Sequence, residues 1–496
     1  MKKPHIIIFN PDQFRLDAMG HMGNKAAVTP NFDKMATEDG VSFRFAFCQN
    51  PVCTPSRCSF MSGWYPHVRG HRTMAHMMQP DEPVLLKTLK DEGYYVWWGG
   101  KNDLIPGQNN IYDYCNFYNI QTNKDLMPNL HTVYEWRGEK DGPNYYSFYA
   151  GKLDTKGREV YYDSDWDHIM SAVEFIKNAP EDQPVCIYLP ILYPHPPYAV
   201  EDPWYSMINR DDIEEIYPRF KDSDKKPSML KGIIEKQRLK GWTPQQWKEL
   251  RATYHGMCAR VDYQFGLVVN ALKEKGMYDD SAIFVFSDHG DYTGDYGIVE
   301  KTQNTFEDDL TNVPFIIKPP KWVDVKPGIR EALVELIDFP ATVEDLTGIK
   351  PKHTHFGRSL LPLITGEKDE HRDAVFCEGG RLHGEEHCKE KEGPARYPTN
   401  EVSLYWTRIQ WQVADGPEHG KGVMIRTKDY KYVHRLYESD ELYDLKADPM
   451  ELHNRIDDES LSGVLAELKN RLMRFYLETN DVVPFRIDAR EPKIVR

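Results

Sequence analysis

The sequence predicts an α/β protein: a large, mostly parallel sheet with helices on both faces, followed by a smaller α+β domain. Three observations point there. Short runs rich in Ile, Val, Phe and Tyr, without polar alternation and closed by turn residues, read as strands buried on both faces. Segments with apolar residues at i, i+3 and i+4 separate them and end in Gly or Pro signals. Beyond FGRSLLPLITGEKDEHRDAVF (356–376) the chain turns Gly-rich and charged, then alternates in Tyr and Val.

In chain order, HIIIFN (5–10) is the first expected strand. The periodic segment PVLLKTLKDEG (83–93) precedes the strand YYVWWGG (94–100), and DHIMSAVEFIKNA (167–179) precedes VCIYLPILY (185–193). Residues 201–250 are polar, charged and strandless, and read as an inserted excursion, either lying over the site or a solvated helical insertion. A long helix over 254–276 leads into the strands AIFVFSD (282–288) and VPFIIKPP (313–320). The second domain should contain antiparallel strands within 422–445 and a helix over 461–481. The expected division is 1–370 and 371–496, with no internal repeat and no low-complexity tract.

Across 496 residues the formal net charge is −15, which argues against a nucleic-acid surface, where a basic stripe is the usual footprint. A small anionic substrate remains compatible if cations cluster locally. The N-terminal apolar run before Asn10 and Pro11 is about four residues, short of the ~7–15 of a secretory leader, and no run approaches the ~20 needed to cross a bilayer. The expectation is a cytoplasmic protein without membrane association, whose eight cysteines are free thiols.

Each expected strand delivers polar residues at its carboxyl end: Asp12 and Gln13, Lys101 and Asp103, His195, then Asp288 and His289. In open α/β sheets the ligand crevice lies outside those ends, so the scattered groups are candidates for one site. Cys48, Cys53 and Cys58 recur every five residues. A thiolate metal cluster would want C-x2-C spacing. Arg57 could lower a nucleophilic thiol's pKa, and a buried structural cysteine is the ordinary alternative.

The pentapeptide CTPSR, residues 53–57, matches the C-x-P-x-R signature of the type I sulfatases of the alkaline phosphatase superfamily. The block 29–70 around it, SDHGDYTGDYGIVEK (287–301), VPFIIKPP, GRSLLPLITG and ELYDLKADPMELHN (441–454) resemble further family segments in the family's order. The resemblance implies an alkaline-phosphatase-like mixed sheet and a sulfatase in which a formylglycine-generating maturation enzyme converts Cys53 to an aldehyde. One hydroxyl of its hydrate attacks sulfur and the other expels sulfate. It further implies a divalent metal, Ca2+ before Mg2+ or Mn2+, held by Asp12, Gln13, Asp288 and His289. Lys101 and Lys301 match the lysines on the sulfate oxygens, Arg57 the support of the hydrate, and His195 the proton donor to the leaving alcohol.

Departures carry information. Gln13 and His289 stand where many sulfatases have Asp and Asn, and Asp103 stands where many have His. All three keep a phosphonate or phosphate monoester hydrolase of the same superfamily as the alternative. Asp103 is read as a substrate-recognition residue, and His71 and Arg72, within HVRGHRTMAH, as further candidates for contact with a substrate anion. The substrate expected is a sulfated mono- or oligosaccharide, and a homo-oligomer is left open.

Overall fold

The computed structural model describes residues 3–121, 123, 125–390 and 400–491. Strands β1 (His5–Asp12), β2 (Val41–Phe47), β3 (Tyr95–Trp98), β4 (Phe117–Tyr118), β5 (Tyr149–Lys152), β6 (Val185–Pro194), β7 (Tyr198–Val200), β8 (Ser281–Phe286), β9 (Phe315–Lys318) and β10 (Gly328–Glu335) precede the C-terminal strands. Eight of them form one sheet in the order β10-β2-β9-β8-β1-β6-β3-β4. Every pairing in it is parallel except those of β9 with β2 and with β8. The expected mostly parallel sheet is therefore present and mixed.

Alternation within the apolar runs explains why helices cover both faces. Ile7 and Phe9 of β1, with Ile283 and Val285 of β8, point into one core, while Ile6 and Ile8, with Phe284 and Phe286, point into the other. Successive side chains of a strand face opposite ways, so an unbroken apolar run needs cover on both sides. On the first face lies the helix Pro244–Glu274, with the Phe265 ring edge-on to Phe9 at 5.1 Å and tilted against Phe32 at 4.9 Å. It begins ten residues before the expected start. Thr243 and Gln246 form a reciprocal capping box ahead of Pro244, a start signal written in "TPQQ".

Five strands before residue 370 went unread in the sequence: β2, β4, β5, β7 and β10. In β2, "VSFRFAF", and β10, "GIREALVE", charged residues interrupt the apolar run, as suits strands at one edge of the sheet. The excursion 201–250 contains no strand among the described residues, and packs on the loop after β8: Gln237 exchanges hydrogen bonds of 2.8 and 3.1 Å with the backbone of Val299.

Beyond residue 370, β11 (Val375–Gly379), β12 (Gly422–Arg426), β13 (Tyr430–Arg435) and β14 (Glu441–Asp444) make an antiparallel sheet in chain order. The helix Ser462–Thr479 lies on it, with Phe475 stacked on Phe376 at 3.9 Å. Tyr65 of the larger part inserts against Phe475 at 4.7 Å and donates to Glu335 at 2.6 Å, joining the two cores. Among the described residues no helix is long and apolar enough to cross a membrane.

Candidate active site

Strands β8, β1, β6 and β3 are neighbours and run parallel, so their carboxyl ends form one edge. Asp12 ends β1, His195 follows β6 directly, and Asp288 and Lys101 come within a few residues of the ends of β8 and β3. Cys53 is the first residue of the helix Cys53–Ser62, which is buried throughout and carries no side-chain cap on its first turn. That end of a helix favours negative charge. Gly63 ends the helix in the left-handed region, at φ 73°, where its N–H closes on Ser59.

The Cys53 Sγ lies 3.2 Å from His289 Nε2, 3.5 Å from Asp12 Oδ1 and 3.3 Å from Lys101 Nζ. Arg57, one turn along the same helix, donates from Nε to Asp288 Oδ2 at 2.9 Å and from Nη2 to Asp12 Oδ2 at 3.1 Å. The four-residue spacing of Cys and Arg thus places thiol and guanidinium on one helix face, with the guanidinium fixing both carboxylates. Burial alone would raise the Asp12 carboxyl, but Lys101, His195, Arg57 and His289 outweigh it and hold it well below the usual range. The Cys53 thiol is pushed up to about 12 by burial and by Asp12, against the pull of Lys101 and Lys301.

Ligand atoms of Asp12, Cys53, Asp288 and His289 all lie within 4.8 Å of one another. The His289 Nδ1–H donates to Gly290 O at 2.9 Å, which leaves the Nε2 lone pair facing Asp12 Oδ1 at 3.6 Å and Asp288 Oδ1 at 3.7 Å. A lone pair set against two carboxylate oxygens is repulsive without a cation between them, so these residues fit a divalent metal.

Gln13 adopts φ 67° in the turn after β1, pinned by the Tyr254 hydroxyl, which donates to Gln13 O and accepts from Arg15 N, both at 2.8 Å. Its side chain differs from a simple metal ligand's. The Oε1 accepts from Lys301 Nζ at 2.6 Å, and Nε2 donates to Asp291. Lys301 also donates to His195 Nε2 at 3.0 Å, while the His195 Nδ1–H donates to Pro196 O at 2.6 Å. Burial, then Lys301, keeps His195 well below the ordinary imidazole range.

Asp103 faces Lys101 at 2.8 Å, and Lys101 also donates to Asp12 Oδ2 at 2.6 Å. These two carboxylates overcome burial and raise the lysine well above its ordinary value. His71 and Arg72 have other partners: His71 bonds Glu82 at 2.9 Å and the carbonyl of His76, and Arg72 bonds Glu385 and Gly380 O. Cys48, ahead of the site helix, and Cys58, within it, pack in the core.

Several neighbours carried no signal in the sequence. Asp291 receives Gln13, the Tyr198 hydroxyl and Thr293. Glu300 pairs with Lys301 at 3.1 Å and with Arg408, of the C-terminal part, at 3.5 Å. The His131 ring stands 5.5 Å from that of His195. Asp291 and Glu300 sat within SDHGDYTGDYGIVEK, a segment already singled out, without being read as site residues.

The sulfatase family model matches residues 4–349, and a model described as N-sulphoglucosamine sulphohydrolase, C-terminal, matches residues 396–478. An arylsulfatase of Clostridium perfringens is 25% identical, with 95% of this chain and 94% of the relative covered. An N-acetylglucosamine-6-O-sulfatase of Bacteroides thetaiotaomicron is 23% identical over 91% and 82% of the two chains. In fold, the chain resembles a phosphonate monoester hydrolase from Silicibacter pomeroyi with a TM-score of 0.73 and 22% identity, over 96% of each chain. With the match spanning most of its length and the fold in agreement, the chain belongs to the sulfatase family of the alkaline phosphatase superfamily and is a sulfuric ester hydrolase.

Proposed function

We propose that the protein hydrolyses a sulfate ester of a mono- or oligosaccharide, using formylglycine made from Cys53 and a divalent metal. The observation that carries this is the position of the Cys53 side chain, within 3.5 Å of Asp12, His289 and Lys101 at the uncapped start of a buried helix. Asp12, Asp288 and His289 would hold the cation, with Gln13 joining them if its amide oxygen leaves Lys301. Oxygen-rich donors suit Ca2+. Once bound and modified, this centre supplies a deprotonated hydroxyl as nucleophile at neutral pH and a second hydroxyl for releasing sulfate.

The protein's own groups do the rest. Lys101 and Lys301 neutralise charge on the sulfate oxygens as it builds up in the transition state. Arg57 holds the two carboxylates in place. The His195 Nδ1–H is fixed by Pro196 O, so Nε2, an acceptor while the ring is neutral, is the atom that would take up a proton from solvent when an anion binds and pass it to the leaving oxygen. A bound anion drawing Lys301 toward itself would free that nitrogen. The sugar reading is supported by the activity for which the Bacteroides relative is named and by the C-terminal match to N-sulphoglucosamine sulphohydrolase.

A phosphonate monoester hydrolase is the second reading, favoured by the 0.73 TM-score to such an enzyme. The test joins two measurements: the mass of the peptide containing Cys53, with and without a co-expressed formylglycine-generating enzyme, and kcat/KM on matched sulfate and phosphonate esters. An aldehyde and a preference for sulfate are expected. A thiol that persists while a control sulfatase is converted would remove the nucleophile assignment, and a preference for phosphonate would install the second reading.

A further inference from the structure

A second group of metal-binding side chains lies outside this centre. Ligand atoms of Glu385, His387 and Cys388 stand within 4.8 Å of one another. A short 3-10 turn, Glu386–Cys388, brings them together: the Cys388 N–H closes on Glu385 O at 3.0 Å and folds the thiol back over the carboxylate. Cys388 is 5% exposed, and His387 is open to solvent.

The opposite wall offers a candidate fourth donor, set slightly farther away. The His76 ring stands 6.0 Å from that of His387 at 89°. Two imidazoles on one tetrahedral ion, with metal–nitrogen bonds of about 2 Å, have centroids roughly 5 Å apart, so a small approach suffices. His76 Nδ1 contacts Thr73 Oγ1 at 2.5 Å, the type of outer contact that orients a ligating imidazole and leaves Nε2 for the ion. Glu385 keeps capacity as well. Its Oε2 takes both Arg72 nitrogens and the Leu382 N–H, whereas Oε1 takes one Arg72 contact at 3.1 Å.

We infer that Glu385, His387, Cys388 and His76 form a second metal site, selective for a thiolate-accepting cation such as Zn2+, that staples the 71–76 loop to the 380–390 loop. Sulfur, imidazole and a single carboxylate are donors for zinc and not for the hard cations suited to the Asp12 and Asp288 centre. Binding releases the thiol proton to solvent and changes no oxidation state. The staple would reinforce contacts already spanning these loops, Arg72 with Glu385 and the Met74 N–H with Glu390 at 3.0 Å. Glu390 also accepts from Gln303, two residues beyond Lys301, so the ion would stiffen a wall beside the active centre.

The test uses the full-length chain carrying Cys53→Ala, so that no thiolate remains at the first centre and the outcome is independent of formylglycine. After chelation, Co2+ is titrated and followed by absorption. A near-ultraviolet thiolate-to-cobalt band that Zn2+ displaces is expected, lost on adding Cys388→Ser and weakened at least tenfold in affinity by His387→Ala or His76→Ala. His387 is exposed, so its replacement leaves the fold intact. Absence of the band in the parent, its survival in the Cys388→Ser protein, or a His387→Ala protein that titrates like the parent would overturn the site.

Discussion

At Cys53 the burial that pushes the thiol up to about 12 leaves little thiolate at neutral pH, so an unmodified cysteine is a poor nucleophile here. His195 offers a sharper test of its role. Proton donation matters most when the leaving alcohol is weakly acidic, so His195→Ala should lower kcat about 10²–10⁴-fold on a sugar sulfate and under about tenfold on an activated aryl sulfate. Equal losses on both would remove the proton-donor role. Asp103 was expected to face the substrate, where a free carboxylate would repel sulfate, yet it is paired with Lys101. Asp103→Asn should therefore act through the lysine and lower kcat/KM about tenfold on the best sulfate ester, roughly 1.4 kcal/mol of transition-state binding. An unchanged kcat/KM would mean that Asp12 alone positions Lys101. At this scale the residues legible in advance were those in compact motifs, Cys53 with Arg57 and Asp288 with His289. Arg408 and His131 were not, because their neighbours Glu300 and His195 lie far away in the chain.

The helix Pro244–Glu274 shows how local chemistry sets an element. Its capping box satisfies backbone N–H groups that the helix itself cannot, with Gln246 N donating to Thr243 Oγ1 at 3.3 Å and Thr243 N to Gln246 Oε1 at 2.9 Å. Thr243→Ala should cost about 1 kcal/mol, read as a lower urea midpoint at unchanged m-value. The apolar strands were legible for a similar reason: burial on both faces writes itself into composition. Strands β2 and β10 were not, since Ser42, Arg44, Arg330 and Glu331 break their apolar pattern. The reversed direction of β9 has no counterpart in its own residues, because strand direction is decided by the path of the chain between strands.

Stability of the whole molecule against acid depends on histidines kept neutral by burial. His168 accepts from Asn119 at 3.0 Å, and burial lowers it from 6.5 to about 4. The unfolded chain takes up a proton below about 6.5 that the folded ring refuses, so this contribution is complete above that pH and is lost as pH falls toward 4. His131 and His419 shift the same way, to about 4 and about 3, while Asp165 and Asp262, raised to about 7 chiefly by burial, act oppositely over a similar range. The informative quantity is thus a difference. Plotted against pH from 6.5 to 4, unfolding free energy should fall less steeply for His168→Gln than for the parent, and parallel curves would contradict a neutral buried ring.

The amino-acid sequence by itself determined the α/β class, the order of the main strands, the CTPSR motif and the polar residues at strand ends, because periodicity, turn chemistry and short motifs act over a few neighbouring positions. Only the tertiary structure decided that Asp103 is spent on Lys101, that Gln13 reaches Lys301 and Asp291, and that His71 and Arg72 bind Glu82 and Glu385. Those outcomes depend on which side chains the sheet order and the loops bring within about 3 Å of one another. Pairings between residues tens or hundreds of positions apart are a property of the assembled core, and no local pattern encodes them.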